Sequence, residues 1–262
     1  MATVMITGAT DGLGRGLAHA LAQGEHTLLL HGRDPERGHA LAAELGARFY
    51  RADLASLAQV RSMADEILST EDRVDVLVNN AGIGSTLPGD GERMESQDGY
   101  ELRFAVNYLA GFLLTHLLAP LLVSPARVVN VSSAGQSAID FDDVMLKRNY
   151  NGTRAYCQSK LAQIMFTFDL ADRCGQTGVS ATCLHPATYM PTKMVLHAQR
   201  SPASTLEQGV QATLRLISGT SAEEVNGRYF NGTAESRADA QAYDADARAR
   251  LRALSEELTG LR

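Results

Sequence analysis

Cysteine is scarce: three residues in 262, at positions 157, 174 and 183, with no CxxC spacing. An odd number leaves one thiol over in any pairing, so a disulfide framework is excluded and a reducing compartment is expected. Long apolar runs are missing too. The richest stretch, Leu113 to Val123, is broken by His116 and Pro120, and nothing approaches the roughly 18 residues of a spanning helix. The opening Met1-Ala2-Thr3-Val4-Met5-Ile6 has neither the basic start nor the apolar length of a signal peptide. Basic excess is absent, with 24 Lys and Arg against 30 Asp and Glu, so neither nucleic acid nor a membrane is expected as a partner. Seven histidines include no HExxH, and no metal site is expected. The Asn-Gly-Thr sequons at Asn151 and Asn231 read as turns of a cytoplasmic protein.

What is present is a chain able to bury a full core as one domain spanning 1–262, being 45% hydrophobic and 21% charged. Thr3 to Thr7, Thr27 to Leu30, Arg48 to Ala52, Val74 to Val78, Arg127 to Val131 and Val179 to His185 are strand candidates separated by helix-length segments. Strands spaced by single helices must cross over in parallel. The expected fold is therefore α/β, a Rossmann-type doubly wound parallel sheet of about seven strands with helices on both faces. Polar insertions at 134–153 and 187–205 follow the ends of the fifth and sixth strands, where open α/β sheets bind ligands, and read as pocket walls or as plain surface loops. A C-terminal helix is expected near 238–258.

The first strand runs straight into Thr7-Gly8-Ala9-Thr10-Asp11-Gly12-Leu13-Gly14 and then into a helical stretch. Glycines at such a turn let the backbone approach a pyrophosphate, and the amides of the helix N-terminus bind its charge. Gly8, Asp11, Gly12, Leu13 and Gly14 are thus candidate cofactor-binding residues.

The Gly-x3-Gly-x-Gly spacing resembles that of short-chain dehydrogenases/reductases. The likeness recurs in Asn79-Asn80-Ala81-Gly82, in Asn107 within Val106-Asn107, in Val131-Ser132-Ser133 and in Tyr156-x3-Lys160. The flanks Ala155-Tyr156-Cys157-Gln158-Ser159-Lys160-Leu161, the long gap after Ser133 and His185-Pro186 most resemble the retinol-dehydrogenase-like branch. Because the chain starts at its first strand, without the anchor of many such enzymes, a soluble carbonyl reductase is expected.

The resemblance implies NAD(P)-dependent interconversion of a carbonyl and an alcohol. It makes Tyr156 the general acid/base and Ser133 the hydrogen-bond donor to the reacting oxygen, with Ser132 as a possible substitute. Lys160 would lower the tyrosine pKa and hold the nicotinamide ribose. Asn107 would bind a relay water or else be a structural, helix-kinking asparagine. Asp53, Leu54, Asn80, Ala81, Gly82, Pro186 and Thr188 join the cofactor set. The family's Pro-Gly is here Pro186-Ala187, so Thr188 and Thr192 both remain candidates for the nicotinamide carboxamide.

The second strand ends in His31-Gly32-Arg33. An acidic residue at this place would accept from a ribose 2′-hydroxyl, whereas Arg33 suits a 2′-phosphate, so NADP(H) is expected over NAD(H). Asp34-Pro35-Glu36 has the form of a capped helix start. Asp11, where many NADP-using relatives carry a basic residue, argues the other way. Apolar excess on the helices around Tyr100 to Ala119 and Ala155 to Arg173 points to a homo-oligomer, with a dimer favoured. No charge cluster in either insertion specifies an acid or phosphate, which leaves a small to medium, largely apolar substrate. Two rival functions are a silent NADP(H)-binding sensor or scaffold, which has little need of all four residues Asn107, Ser133, Tyr156 and Lys160, and a sugar-nucleotide epimerase or dehydratase, for which the chain after His185 is short.

Overall fold

A computed structural model describes residues 2–86, 92–174 and 177–261. One eight-stranded sheet runs in the order β3-β2-β1-β4-β5-β6-β7-β8. Its strands are β1 (Ala2–Ile6), β2 (His26–Gly32), β3 (Arg48–Arg51), β4 (Val76–Asn79), β5 (Ala126–Val131), β6 (Val179–His185), β7 (Tyr229–Asn231) and β8 (Ala234–Ser236). All neighbours pair in parallel except β7 and β8. The six strands read from the sequence are all present. The two short edge strands were not among those candidates, because three residues around Gly232 (φ 60°) are too few to show alternation.

Helices α1 (Gly12–Leu21), α2 (Pro35–Leu45) and α3 (Leu57–Thr70) follow the first three strands. Next come α4 (Leu102–Phe104), a π turn over Ala105–Leu109 and α5 (Ala110–Leu117) as one run, then α6 (Gly152–Cys174). Further helices are α7 (Lys193–His197), α8 (Leu206–Leu214), α9 (Ala222–Val225) and α10 (Ala245–Thr259). Two apolar clusters cover the two sheet faces. Val4, Ile6, Leu28 and Leu30 pack with α1 and α8, while Met5, Leu29, Leu77 and Val128 pack with α3, α5 and α6. The strand residues alternate between the clusters because successive side chains leave opposite faces of a strand.

The C-terminal helix begins later than its composition implies. Asp239 caps a short 3₁₀ turn over Ala240–Tyr243, and Asp244 then caps α10 through the amides of Asp246 and Ala247. This helix lies on α6. Tyr108 Oη and Ser255 Oγ are 2.7 Å apart, Tyr100 Oη donates to the Leu258 carbonyl at 2.9 Å, and Leu251 joins Phe166 and Phe168 in the core. Part of the apolar excess behind the dimer expectation is therefore covered within the same chain. Among the described residues no helix is long and apolar enough to cross a membrane.

Candidate active site

The glycine turn is built to leave backbone exposed. Gly8 (φ 66°) and Gly12 (φ 49°) occupy the left-handed region, and a Cβ on Gly14 would meet the Gly8 carbonyl at 2.2 Å. Asp11 caps α1, its Oδ1 accepting from the Gly12 amide at 2.8 Å. Asn80 braces the turn from behind, with Nδ2 donating to the Thr7 carbonyl at 2.8 Å and to that of Gly8 at 3.2 Å. Thr7 Oγ1 accepts from the amides of Asn80 and Ala81, each at 3.0 Å. Leu13 points into the core. These contacts make a rigid concave amide surface of the kind a pyrophosphate needs.

His31 was missing from the sequence reading. Its Nδ1 accepts from the Gly8 amide at 3.1 Å and its Nε2 lies 3.1 Å from the Ala52 carbonyl. Burial holds it down to about 4, so the ring is neutral with its proton on Nε2. Only the pairing of β2 between β1 and β3 brings both partners to this ring.

At the end of β2, Arg33 is exposed and has no side-chain partner among the described residues. Asp34 caps α2 through the Arg37 amide at 3.2 Å, with Pro35 in the first turn, as the sequence implies. Arg37 and Lys193, also missed, both reach Asp11 Oδ2, at 3.1 and 2.7 Å. Arg37 also donates to the Thr10 carbonyl at 2.8 Å. Burial would raise the Asp11 carboxyl, but the bonds from Lys193, Arg37 and the Gly12 amide outweigh it and hold it low. Asp53 turns its Oδ1 to the Ala55 amide at 3.0 Å, and Leu54 lines a small cavity with Thr7 and Ala81.

The tyrosine and lysine expected to react share α6. Tyr156 and Lys160 lie one helical turn apart, with Nζ 5.9 Å from the phenol ring centroid. Lys160 Nζ donates to the Val131 carbonyl at 2.9 Å and to Gln163 Oε1 at 2.8 Å. Burial pushes its pKa down to about 7. Burial also raises the Tyr156 phenol, and its hydrogen bond with Ser133 opposes the rise. Burial thus dominates the tyrosine, and the opposing pull comes from Ser133 rather than from Lys160. A Cβ on Gly82 would sit 3.2 Å from Asn107 Oδ1 and 3.4 Å from Lys160 Nζ, which places the Asn80-Ala81-Gly82 turn against the reacting face.

The two neighbouring serines have different surroundings. Ser132 Oγ is buried and donates to the Lys160 carbonyl at 2.8 Å. Ser133 Oγ accepts from the Gly135 amide at 3.0 Å, and its own carbonyl is held by Gln136 Nε2 and Tyr229 Oη, both at 3.1 Å. Asn107 lies in the π turn. Its Oδ1 accepts from the Ile83 amide at 2.7 Å, while Nδ2 donates to the Ile83 carbonyl at 3.1 Å and to Ser159 Oγ at 2.9 Å. That side chain pins the turn after β4 to α6. Pro186 follows β6 directly, and Thr188 Oγ1 is 3.0 Å from His185 Nε2. Thr192 instead stands over the glycine turn, its Cγ2 3.2 Å from where a Gly12 Cβ would be.

A family model described as short chain dehydrogenase matches residues 2–202. The chain belongs to the short-chain dehydrogenase/reductase family. It is therefore an NAD(P)-dependent oxidoreductase acting on CH–OH groups. Within the family it is similar to human retinol dehydrogenase 13, at 36% identity over 99% of this chain and 85% of that one, and to human retinol dehydrogenase 14, at 35% over 99% and 86%. Among solved structures, an uncharacterised protein from Mycobacterium paratuberculosis superposes with a TM-score of 0.81 at 31% identity, covering 99% of this chain and 94% of that chain. NADPH-bound carbonyl reductase from chicken fatty liver shares the fold at a TM-score of 0.69 and 23% identity, over 91% and 99% of the two chains.

Proposed function

We propose that this short-chain dehydrogenase/reductase interconverts a carbonyl and an alcohol on a small to medium, largely apolar substrate, with NADP(H) preferred and Tyr156 as general acid/base. The observation that carries the reading is the Tyr156 phenol, acted on by Ser133 and one turn from Lys160, facing a turn where a Gly82 Cβ would come within 3.4 Å of Lys160 Nζ. The glycine cradle fits a dinucleotide, because Gly8 and Gly12 take a backbone shape that keeps side chains out of the phosphate path.

A bound nicotinamide supplies or accepts the hydride. Ser133 Oγ, fixed as an acceptor by the Gly135 amide, keeps its proton for the substrate oxygen. Tyr156 gives that oxygen a proton in reduction and takes it back in oxidation. Two of the Lys160 ammonium hydrogens are spent on the Val131 and Gln163 carbonyls, leaving the third for the reacting side. The preference for NADP(H) rests on Arg33 at the end of β2 and Arg37 in the first turn of α2. That for apolar substrates rests on Met194, which closes over Gly84 from α7, and accords with relatives named as retinol dehydrogenases.

The test is a panel of aliphatic and aromatic carbonyls and alcohols with both cofactors, read by nicotinamide absorbance, with Tyr156→Phe beside it. We expect turnover with NADPH on apolar carbonyls and a loss of roughly a hundredfold or more in the variant at unchanged cofactor affinity. A variant as active as the wild type overturns the mechanism. Cofactor binding without turnover on any substrate favours a sensor.

A further inference from the structure

We propose that Lys193, carried by α7 on the substrate side of the cleft, is a ligand of the cofactor 2′-phosphate. The inference rests on the NADP(H) reading above. Asp11 stands beside the end of β2, because Thr10 packs on Gly32, a Cβ there meeting Thr10 Cγ2 at 2.6 Å. A carboxylate at this place repels a phosphate unless it is neutralised. Its Oδ2 is shared by Arg37 and Lys193, and Arg33, exposed and without a side-chain partner among the described residues, directly follows Gly32. Two cations meet on this carboxylate and a third ends β2, in a chain of net charge −6. The surplus of two positive charges matches a phosphate dianion.

An exposed ion pair alone is worth little, so Asp11–Lys193 does not by itself explain why α7 lies where it does. The flap also touches both walls of the cleft. Thr192 Cγ2 lies over Gly12, and Met194 Cγ is 2.7 Å from where a Gly84 Cβ would be. An ammonium at the root of such a flap ties the segment that covers the substrate to the phosphate end of the cofactor. The basic residue that a 2′-phosphate needs beside the glycine turn is thus delivered from 182 positions further along the chain, with Asp11 as its seat.

The experiment is calorimetric titration of wild type, Lys193→Ala, Lys193→Arg and Arg33→Ala with NADPH, NADH, adenosine 2′,5′-bisphosphate and AMP, none of which requires turnover. Lys193→Ala should weaken NADPH and the bisphosphate by roughly tenfold or more, leave NADH and AMP within about twofold, and be largely rescued by arginine. Equal losses for all four ligands would make Lys193 a latch only and overturn the proposal, as would no loss. If Arg33→Ala is selective for the phosphorylated ligands and Lys193→Ala is not, this inference fails while the NADP(H) reading stands. If the wild type binds bisphosphate and AMP alike, both fall.

Discussion

The Gly8 amide donates to Nδ1 of His31 across 3.1 Å, and that bond joins the glycine turn to the strand that leads into Arg33. With Nε2 on the Ala52 carbonyl, the imidazole spans three strands and fixes the first amide of the turn.

His31→Phe should therefore leave the Gly8 amide and the Ala52 carbonyl buried without partners, costing about 1–3 kcal/mol of stability. Because the cradle serves both cofactors, NADPH and NADH should weaken together. The ring sits near 4 rather than its ordinary 6.5, so the folded state binds fewer protons. Its contribution is complete above 6.5 and is lost as pH falls towards 4. Thermal unfolding from pH 7 to 4 should show a shallower decline in His31→Phe than in the wild type, and parallel curves would refute this role.

The two neighbouring serines should separate cleanly. Ser133→Ala removes the proposed donor to the reacting oxygen and should lower kcat by roughly 100- to 1000-fold with little change in Tm. Ser132→Ala deletes the bond to the Lys160 carbonyl and should cost about 1 kcal/mol of stability while sparing kcat. Steady-state kinetics beside thermal melts read both effects, and a reversed pattern would move the substrate contact to Ser132.

Lys160 provides a pH signature. Burial brings it to about 7 from 10.5, so the folded state favours the neutral amine and the unfolded chain the charged one. Stability should climb as pH rises from about 7 towards 10.5 and fall back as pH drops to 7. Lys160→Met should flatten that climb and lose turnover. An unchanged pH dependence in the variant would show that the ammonium is less strongly desolvated than its surroundings imply.

Those surroundings show where sequence reading reaches its limit. The pairs Tyr156 and Lys160, and Gly12 and Gly14, are legible in the sequence because helical and turn geometry fix neighbours a few residues apart. Asp34 as a cap followed from the same local rules and is found in place. The partners of these groups are not legible in the same way. Gln163 on Lys160 has an adequate local reading as one more helix residue, and Tyr229 on the Ser133 carbonyl comes from an edge strand too short to announce itself. Ser132 and Ser133 are alike as letters and differ only in where the chain leaving β5 points each hydroxyl.

The sequence by itself determined the alternation of strands and helices, the glycine turn, the tyrosine–lysine pair and the cation at the end of β2, since each depends on local backbone preference and short spacing. Tertiary structure alone decided that His31 holds the cradle, that α10 covers α6 and that Lys193 meets Asp11. Those contacts depend on where parallel crossovers set down distant segments, and a hydrogen bond or ion pair forms only between groups that the packed sheet has already brought within about 3 Å.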